Sequence, residues 1–434
     1  LPVQPSSTNN YDLTAIIRLG SDISDNFYQL EVPLRITDFS EISADSIWKN
    51  NLNAQLKQLG QLKIDRLNDP ANPAINELFP SLANAPESKI RVKGNPNLSN
   101  LRTIMIGVRN DSDSPKSAEL WFNELRVTDF DNEGGWAAVV NADANFADFA
   151  DISISGRASS QGFGSLDQGI SQRSLEDVKQ YDVVTNLNLG QLLPKKIGIK
   201  IPFNYSISEE FKDPKWDPQY QDVLFDANND NAKAARDYTK RRSINFINVR
   251  KERTDTEKKQ HIYDIENVSV SYAYNDMHHK DYNIEKFIDQ NVRASANYNY
   301  GFKPLSIEPL KNSEFLDKNS FFKFIKDFNI NPLPTSISVN SNIIRSYNQQ
   351  LSRDLSNDPN FPALPELTQR RFLFDWDYNI AYNLTKSLQL TFRASNNYIY
   401  DEFEDLESTS LFTNFFRVGR PNQYHQTLDA TYIV

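Results

Sequence analysis

The stretch Asp182–Ser208 alternates apolar and polar residues through two runs, and a period of two fixes what such a chain can form. In the second run Ile197, Ile199, Ile201, Phe203, Tyr205 and Ile207 share one face, while Lys200, Asn204 and Ser206 share the other. In the first run Val183, Leu187 and Leu189 oppose Asn186 and Asn188. Gln191–Lys196 predicts the turn between them, because Pro194 lacks the N–H that a central strand must donate. The second run is about eleven residues long, and a tilted strand needs about 9–11 to cross a bilayer.

The same unit recurs from Trp136 onward. Trp136, Ala138, Val140, Ala142 and Ala144 face away from Asn141, Asp143 and Asn145, and Ile152 and Ile154 away from Ser153 and Ser155. Further runs are Ser243–Val249, Val268–Tyr274, Val292–Phe302 (Tyr298 opposing Asn297), Ile337–Ile343 and Leu388–Ala394, with a last one from Leu428. The strongest sets Phe372, Phe374, Trp376, Tyr378 and Ile380 against Asp375, Asp377 and Asn379. Roughly eleven strands of near-spanning length are expected over 131–434. Short turns at 147–151, 191–196 and 384–387 alternate with long loops at 160–181, 209–241, 276–290, 347–370 and 400–423, although links 250–263 and 303–334 are long on the short side. Short turns at one end and long loops at the other mark transmembrane β-barrels. Aromatics gather at strand ends, where a ring meets an interface.

A soluble β protein would also alternate, since antiparallel sheets commonly have one wet face. Here the wet face carries Asn, Ser, Thr and Asp rather than Lys and Glu, which favours a polar lumen. The expected fold class is therefore all-β: part of a very large antiparallel transmembrane β-barrel, preceded by a jelly-roll-like β-sandwich with a helix. Trp136, Ile197, Ile199, Ile201, Phe203, Tyr298, Phe372, Phe374, Trp376 and Tyr378 are expected to face lipid. Asn141, Asp143, Asn186, Asn204, Asn297, Asp375 and Asp377 are expected to face the lumen. An odd strand number does not close a single-chain bacterial barrel, so a larger barrel is expected.

The first part differs in texture. Residues 1–10 read as a linker. Residues 11–130 offer strand candidates at Thr14–Leu19, Phe27–Leu34, Lys89–Lys93, Arg102–Arg109 and Glu119–Val127, with an amphipathic helix over Ser46–Leu62. If Trp136 begins a descending strand, this domain is an extracellular cap.

Composition narrows the chemistry. The 434 residues include no cysteine, so disulfides and thiolate metal sites are out, and a net charge of −10 disfavours nucleic acid as a partner. No run of about 18 apolar residues occurs, which rules out helical spans only. No leader is visible at Leu1. His278 and His279 are adjacent, so on extended chain their rings point apart, as in a solvated loop. Asp226, Asn228 and Asp230 begin a calcium-loop spacing, but Asn231 stands where glycine is needed and Asp237 where glutamate closes the loop. Asp129, Asp131 and Glu133 read as turn formers, Gly162, Gly164 and Gly169 as a flexible loop, and Arg236–Arg253 as a solvated rim. No catalytic set, metal or cofactor is expected, and no enzyme.

The segment SAELWFNELRVTDFDNEGGWAA, Ser117–Ala138, resembles the SprA/Sov family, the outer-membrane translocons of the Bacteroidetes type IX secretion system. So do Asn186–Asn204, Arg241–Arg250, Asp264–Tyr274 and Gly419–Tyr432. The resemblance implies an outer-membrane barrel of extreme size that exports folded cargo. It also implies three partners: secreted cargo with a C-terminal sorting domain, a lateral-gate barrel protein and a periplasmic plug. It carries no site residues. Two rivals remain: another large outer-membrane transporter, and a surface adhesin binding glycan through Tyr11, Tyr28, Trp48 and Trp121.

Overall fold

The computed structural model describes residues 10–37, 40–41, 43–81, 88–129, 133–225, 236–255, 257, 259–311, 328–355, 362–401, 411–412 and 415–433. The chain divides into two compact units. The first comprises Leu1–Trp136, Ser160–Asp177 and Asp213–Ala235; the second comprises Ala137–Ser159, Val178–Lys212 and Arg236–Val434.

In the first unit β1 (Leu13–Gly20), β2 (Phe27–Pro33), β3 (Ile90–Lys93) and β4 (Thr103–Asn110) form one antiparallel sheet in the order β3-β2-β1-β4. Tyr28, Leu30 and Val92 meet Leu59 and Leu62 of helix α2 (Leu56–Leu67) in the core on one face. The jelly-roll sandwich is corrected accordingly: among the described residues there is one sheet with a helix on it, and Glu119–Val127 forms no strand. The helix expected over Ser46–Leu62 is displaced, with a four-residue α1 (Ala44–Ile47) followed by irregular chain up to α2. Asn50, Asn51 and Asn53 lie in that break, and asparagine competes with helix through its own side-chain hydrogen bonds.

The other face of this sheet buries charge. Glu31 accepts from Arg91 Nε at 2.9 Å and pairs with Arg109 at 3.1 Å. A second buried pair closes the unit through the 213–225 segment. Asp222 accepts from Lys63 Nζ at 2.8 Å and from the Tyr28 hydroxyl at 2.6 Å. Gly60 lets that segment approach, since a Cβ there would lie 2.3 Å from the Asp222 carbonyl oxygen. Burial pushes the Tyr28 hydroxyl well up, helped by its bond to Asp222, and pulls the Lys63 ammonium down.

The second unit is a 12-stranded sheet. Its strands are β5 (Ala137–Phe146), β6 (Ala150–Ser159), β7 (Glu176–Asn188), the two-residue β8 (Ile199–Lys200), β9 (Pro202–Pro214), β10 (Asp237–Lys251), β11 (Val268–Lys280), β12 (Ile284–Gly301), β13 (Ser336–Ser352), β14 (Leu367–Asn383), β15 (Leu388–Tyr400) and β16 (Arg420–Tyr432). Eleven of them run in the order β16-β15-β14-β13-β12-β11-β10-β9-β7-β6-β5, and β8 pairs β10 off that path. Among the described residues β5 and β16 are free edges. No described helix is long and apolar enough to cross a membrane.

The Asp182–Ser208 hairpin differs from its expected form. Two 3-10 turns, Leu189–Leu192 and Lys195–Ile197, replace the single tight turn, and Gly198 ends them at φ 69°. Ile197 therefore sits in a turn and not in the strand. Ile201 falls between β8 and β9, where Pro202 has no N–H to offer the ladder. The loop expected at 276–290 is mostly strand: β11 and β12 run on, with His278 opposite Ile288 and His279 opposite Phe287, and only 281–283 turn the chain. That tight connection at the expected long-loop end weakens the inside–outside asymmetry of the connections. Asp226, Asn228, Asp230 and Asp131 lie outside the described residues, as do 312–327 of the 303–334 link.

Candidate functional site

The candidate site is the polar face of the large sheet, and strand register decides which residues share it. Antiparallel partners directly opposite one another point to the same side. One row runs Ser269, Asn297, Asn340, Asp377, Ser395 and His425 across β11 to β16. Its neighbour runs Ser271, Ser295, Asn342, Asp375, Asn397 and Gln423. In β5 to β7, Asn141 stands opposite Ser155 and then Asp182, while Asn145 stands opposite Asp151 and then Asn186. The Asn204 amide donates to Asn186 Oδ1 at 2.8 Å, and Asn245 donates to Asn204 Oδ1 at 3.0 Å, which joins the two halves on one face. All seven residues of the expected lumen set are thus on the same side of one sheet.

These groups largely satisfy each other. Asn340 donates to Asp377 at 2.8 Å, Asn422 to Asn397 at 2.7 Å and Ser153 to Asp143 at 2.7 Å, and Asn397 donates to Asp375. Asparagine suits the role because its amide both donates and accepts across a ladder. Toward one end the face encloses a hollow of about 460 Å³ lined by Gln180, Asp182, Ser206, Arg241, Asn275, Asp289 and Asn291, among others. Such a surface offers hydrogen bonds to water, and its apolar members include one row, Ile344, Leu373 and Ile399, toward one end of the strands.

The opposite face is aromatic and aliphatic. One row runs Phe203, Phe246, Tyr272, Ala294, Ile343, Phe374 and Tyr398; another runs Val268, Tyr298, Val339, Tyr378 and Ala394. Trp376 and Ile199 fall on this side by alternation. Trp136 precedes β5 and continues its pairing through Ser160, whose N–H donates to the Trp136 carbonyl oxygen at 2.8 Å. Phe372 is on the apolar face yet only 7% exposed, beneath Leu411 and Phe415 of the β15–β16 connection, so it meets protein there. Ile197, held in its turn, and Ile201, between strands, are not placed by this ladder.

Aromatic rings bracket the apolar face. Tyr300 stands opposite Ile337 at one end of β13, and Tyr347 lies ten residues further along that strand. Ten residues at about 3.4 Å each, tilted about 40°, rise about 26 Å. The apolar band of a transmembrane barrel is about 25 Å tall.

Several residues escaped sequence reasoning. Asn340 and Asn342 went unmarked because Ser341 interrupts the apolar side of their strand, and Asn245 because a bulge between Phe246 and Val249 shifts the register. The basic run Arg236–Arg253 is mostly strand, with Arg236 and Arg253 just beyond its ends. Within β10, Lys240 is paired to Glu209, Arg242 to Asp276 and Lys251 to Glu266. His279 lies against Thr239, 2.9 Å away, and no cluster that could hold a metal occurs among the described residues. Of the glycan-platform aromatics, Tyr28 is fully buried, while Tyr11, Trp48 and Trp121 are exposed.

Comparison with curated proteins finds no match. A family model described as a motility related/secretion protein, SprA_N, matches residues 3–228. That match covers 226 of the 434 residues, just over half, and ends within the 213–235 segment that belongs to the first unit. The chain therefore belongs to the SprA_N family of motility-related and secretion proteins.

Proposed function

We propose that this chain is part of a protein-conducting outer-membrane translocon of the type IX secretion system, and that the polar face lines its conduit. The observation that carries this reading is the continuity of the two faces: across the eleven strands the rows of asparagine, aspartate and serine keep to one side and the aromatic rows to the other. Membership in a secretion-related family supports it. In lipid each backbone polar group needs a partner, so the free edges of β5 and β16 are continued by further strands. The chain makes no bond and breaks none. It supplies a hydrated wall that folded cargo passes without sticking, and the cargo carries a C-terminal sorting domain.

The lateral-gate barrel protein would receive cargo from the conduit, and the periplasmic plug would seal it when idle. The first domain acts as an extracellular cap. Support comes from chain membership, since segments 160–177 and 213–235, which hold most of the β6–β7 and β9–β10 connections, belong to its unit. The test is occlusion in living cells. A bulky polyethylene-glycol maleimide attached at Asp375→Cys should stop cargo release, with cargo accumulating in the periplasm. Normal release despite complete modification contradicts the reading.

A further inference from the structure

Arg345 is the anomaly of the apolar face. Its register partners are Val292 and Phe372, and alternation sets it between Ile343 and Tyr347, one step inside the aromatic ring. An arginine there should be costly, because a charge on the lipid side of a barrel strand is penalised more the deeper it sits. Yet the residue is only 2% exposed.

The β15–β16 connection accounts for its burial. Nη1 of Arg345 donates to the Leu411 carbonyl oxygen at 2.8 Å. The guanidinium carbon lies 4.6 Å from the centre of the Phe372 ring and 5.1 Å from that of Phe415, on the faces where an aromatic quadrupole attracts a cation. Leu411 is itself 2% exposed, and the Phe412 ring comes within 6.3 Å of Tyr274 on β11. Leu411, Phe412 and Phe415 therefore lie over the apolar side of β11 to β15.

We propose that the segment carrying Leu411, Phe412 and Phe415 is a shield fastened by Arg345, which keeps acyl chains off the apolar face at this level. The proposal rests on the membrane reading above. It carries an asymmetry that simple packing does not. Without Arg345 the shield loosens, but nothing beneath it is harmed by lipid. Without the shield, the guanidinium loses the Leu411 carbonyl and the Phe415 ring and is opened to hydrocarbon. The lipid boundary along β11 to β15 is then set by the edge of the shield, and the outermost turn of the apolar face is a protein–protein contact.

The experiment compares variants of the full-length protein in its own outer membrane, scoring the assembled fraction by heat-modifiable mobility. Leu411→Gly with Phe415→Gly should lower that fraction at least about fivefold. Arg345→Leu alone should assemble at the normal level, while hydrogen exchange of residues 415–419 rises at least about tenfold. Adding Arg345→Leu to the double glycine variant should restore assembly to within about twofold of the normal level. Normal assembly of the double variant overturns the proposal. So does failure of Arg345→Leu to rescue, which would mean that the cover acts by packing alone. The unaltered protein is the control for the reading beneath: if it never assembles in the membrane, the membrane reading itself falls and the shield with it.

Discussion

Lys63 and Asp222 are 159 residues apart in sequence and share a buried ion pair inside the first unit, with side chains only 2% and 3% exposed. Such a pair contributes little net stability, because both charges lose their water. Removing one partner is another matter. Lys63→Met should destabilise the unit by about 3–5 kcal/mol, because Asp222 is left buried and unpaired. Lys63→Met combined with Asp222→Leu should recover most of that loss, and urea unfolding followed by hydrogen exchange in β1 and β2 separates the two. Equal destabilisation by the single and double variants would contradict this account. Glu31 adds a pH dependence. Burial alone would raise its carboxyl, but hydrogen bonds from Arg109 and Gln29 and the charges of Arg91 and Arg109 hold it below its ordinary value. Its stabilisation is complete above the unfolded value of about 4.3 and is lost as pH falls through the lower folded value. Opening of β1 and β2 should therefore increase below about pH 4, and Glu31→Gln should blunt that response.

Single elements show how far alternation could be read. Strand centres were legible, because a two-faced sheet writes its period into the residues that meet both surroundings. Phe372–Ile380 is the clearest case. Strand ends were not legible. β11 continues through Asn275–Lys280 and β12 begins at Ile284, yet the residues there do not alternate, with Phe287 and Ile288 apolar on opposite faces, and they read as loop. β16 begins at Arg420, eight residues before the expected Leu428. Backbone pairing continues where neither face contrasts with the other, so periodicity has nothing to report. The amides of His279 and Phe287 should accordingly exchange as slowly as those of a paired strand, and loop-like exchange would contradict the extended hairpin. The first domain failed differently. Glu119–Val127 has strand-like residues, but a strand also needs a neighbour, and none pairs with it among the described residues. On the large sheet, Phe374→Arg should cost about 2–4 kcal/mol of assembly, while Asn204→Asp, on the polar face, should be tolerated. Folding into detergent or lipid measures both, and equal tolerance would remove the distinction between the faces.

Across the whole molecule the two free edges carry a constraint. Eleven successive antiparallel strands leave β5 and β16 running in the same direction. A closed, fully antiparallel sheet therefore needs an odd number of further strands between them. The wall already described is a conduit lining only if its polar side meets water and its apolar side meets lipid. Cysteine scanning along β14, from Phe372 to Asn379 in the full-length protein held in native membranes, tests that most directly. Positions 373, 375, 377 and 379 should react with a membrane-impermeant maleimide, while 374, 376 and 378 should be silent to it and quenched by brominated lipid when labelled fluorescently. Position 372, beneath Leu411 and Phe415, should resist both. Reactivity without alternation, or with the two faces exchanged, would contradict the account.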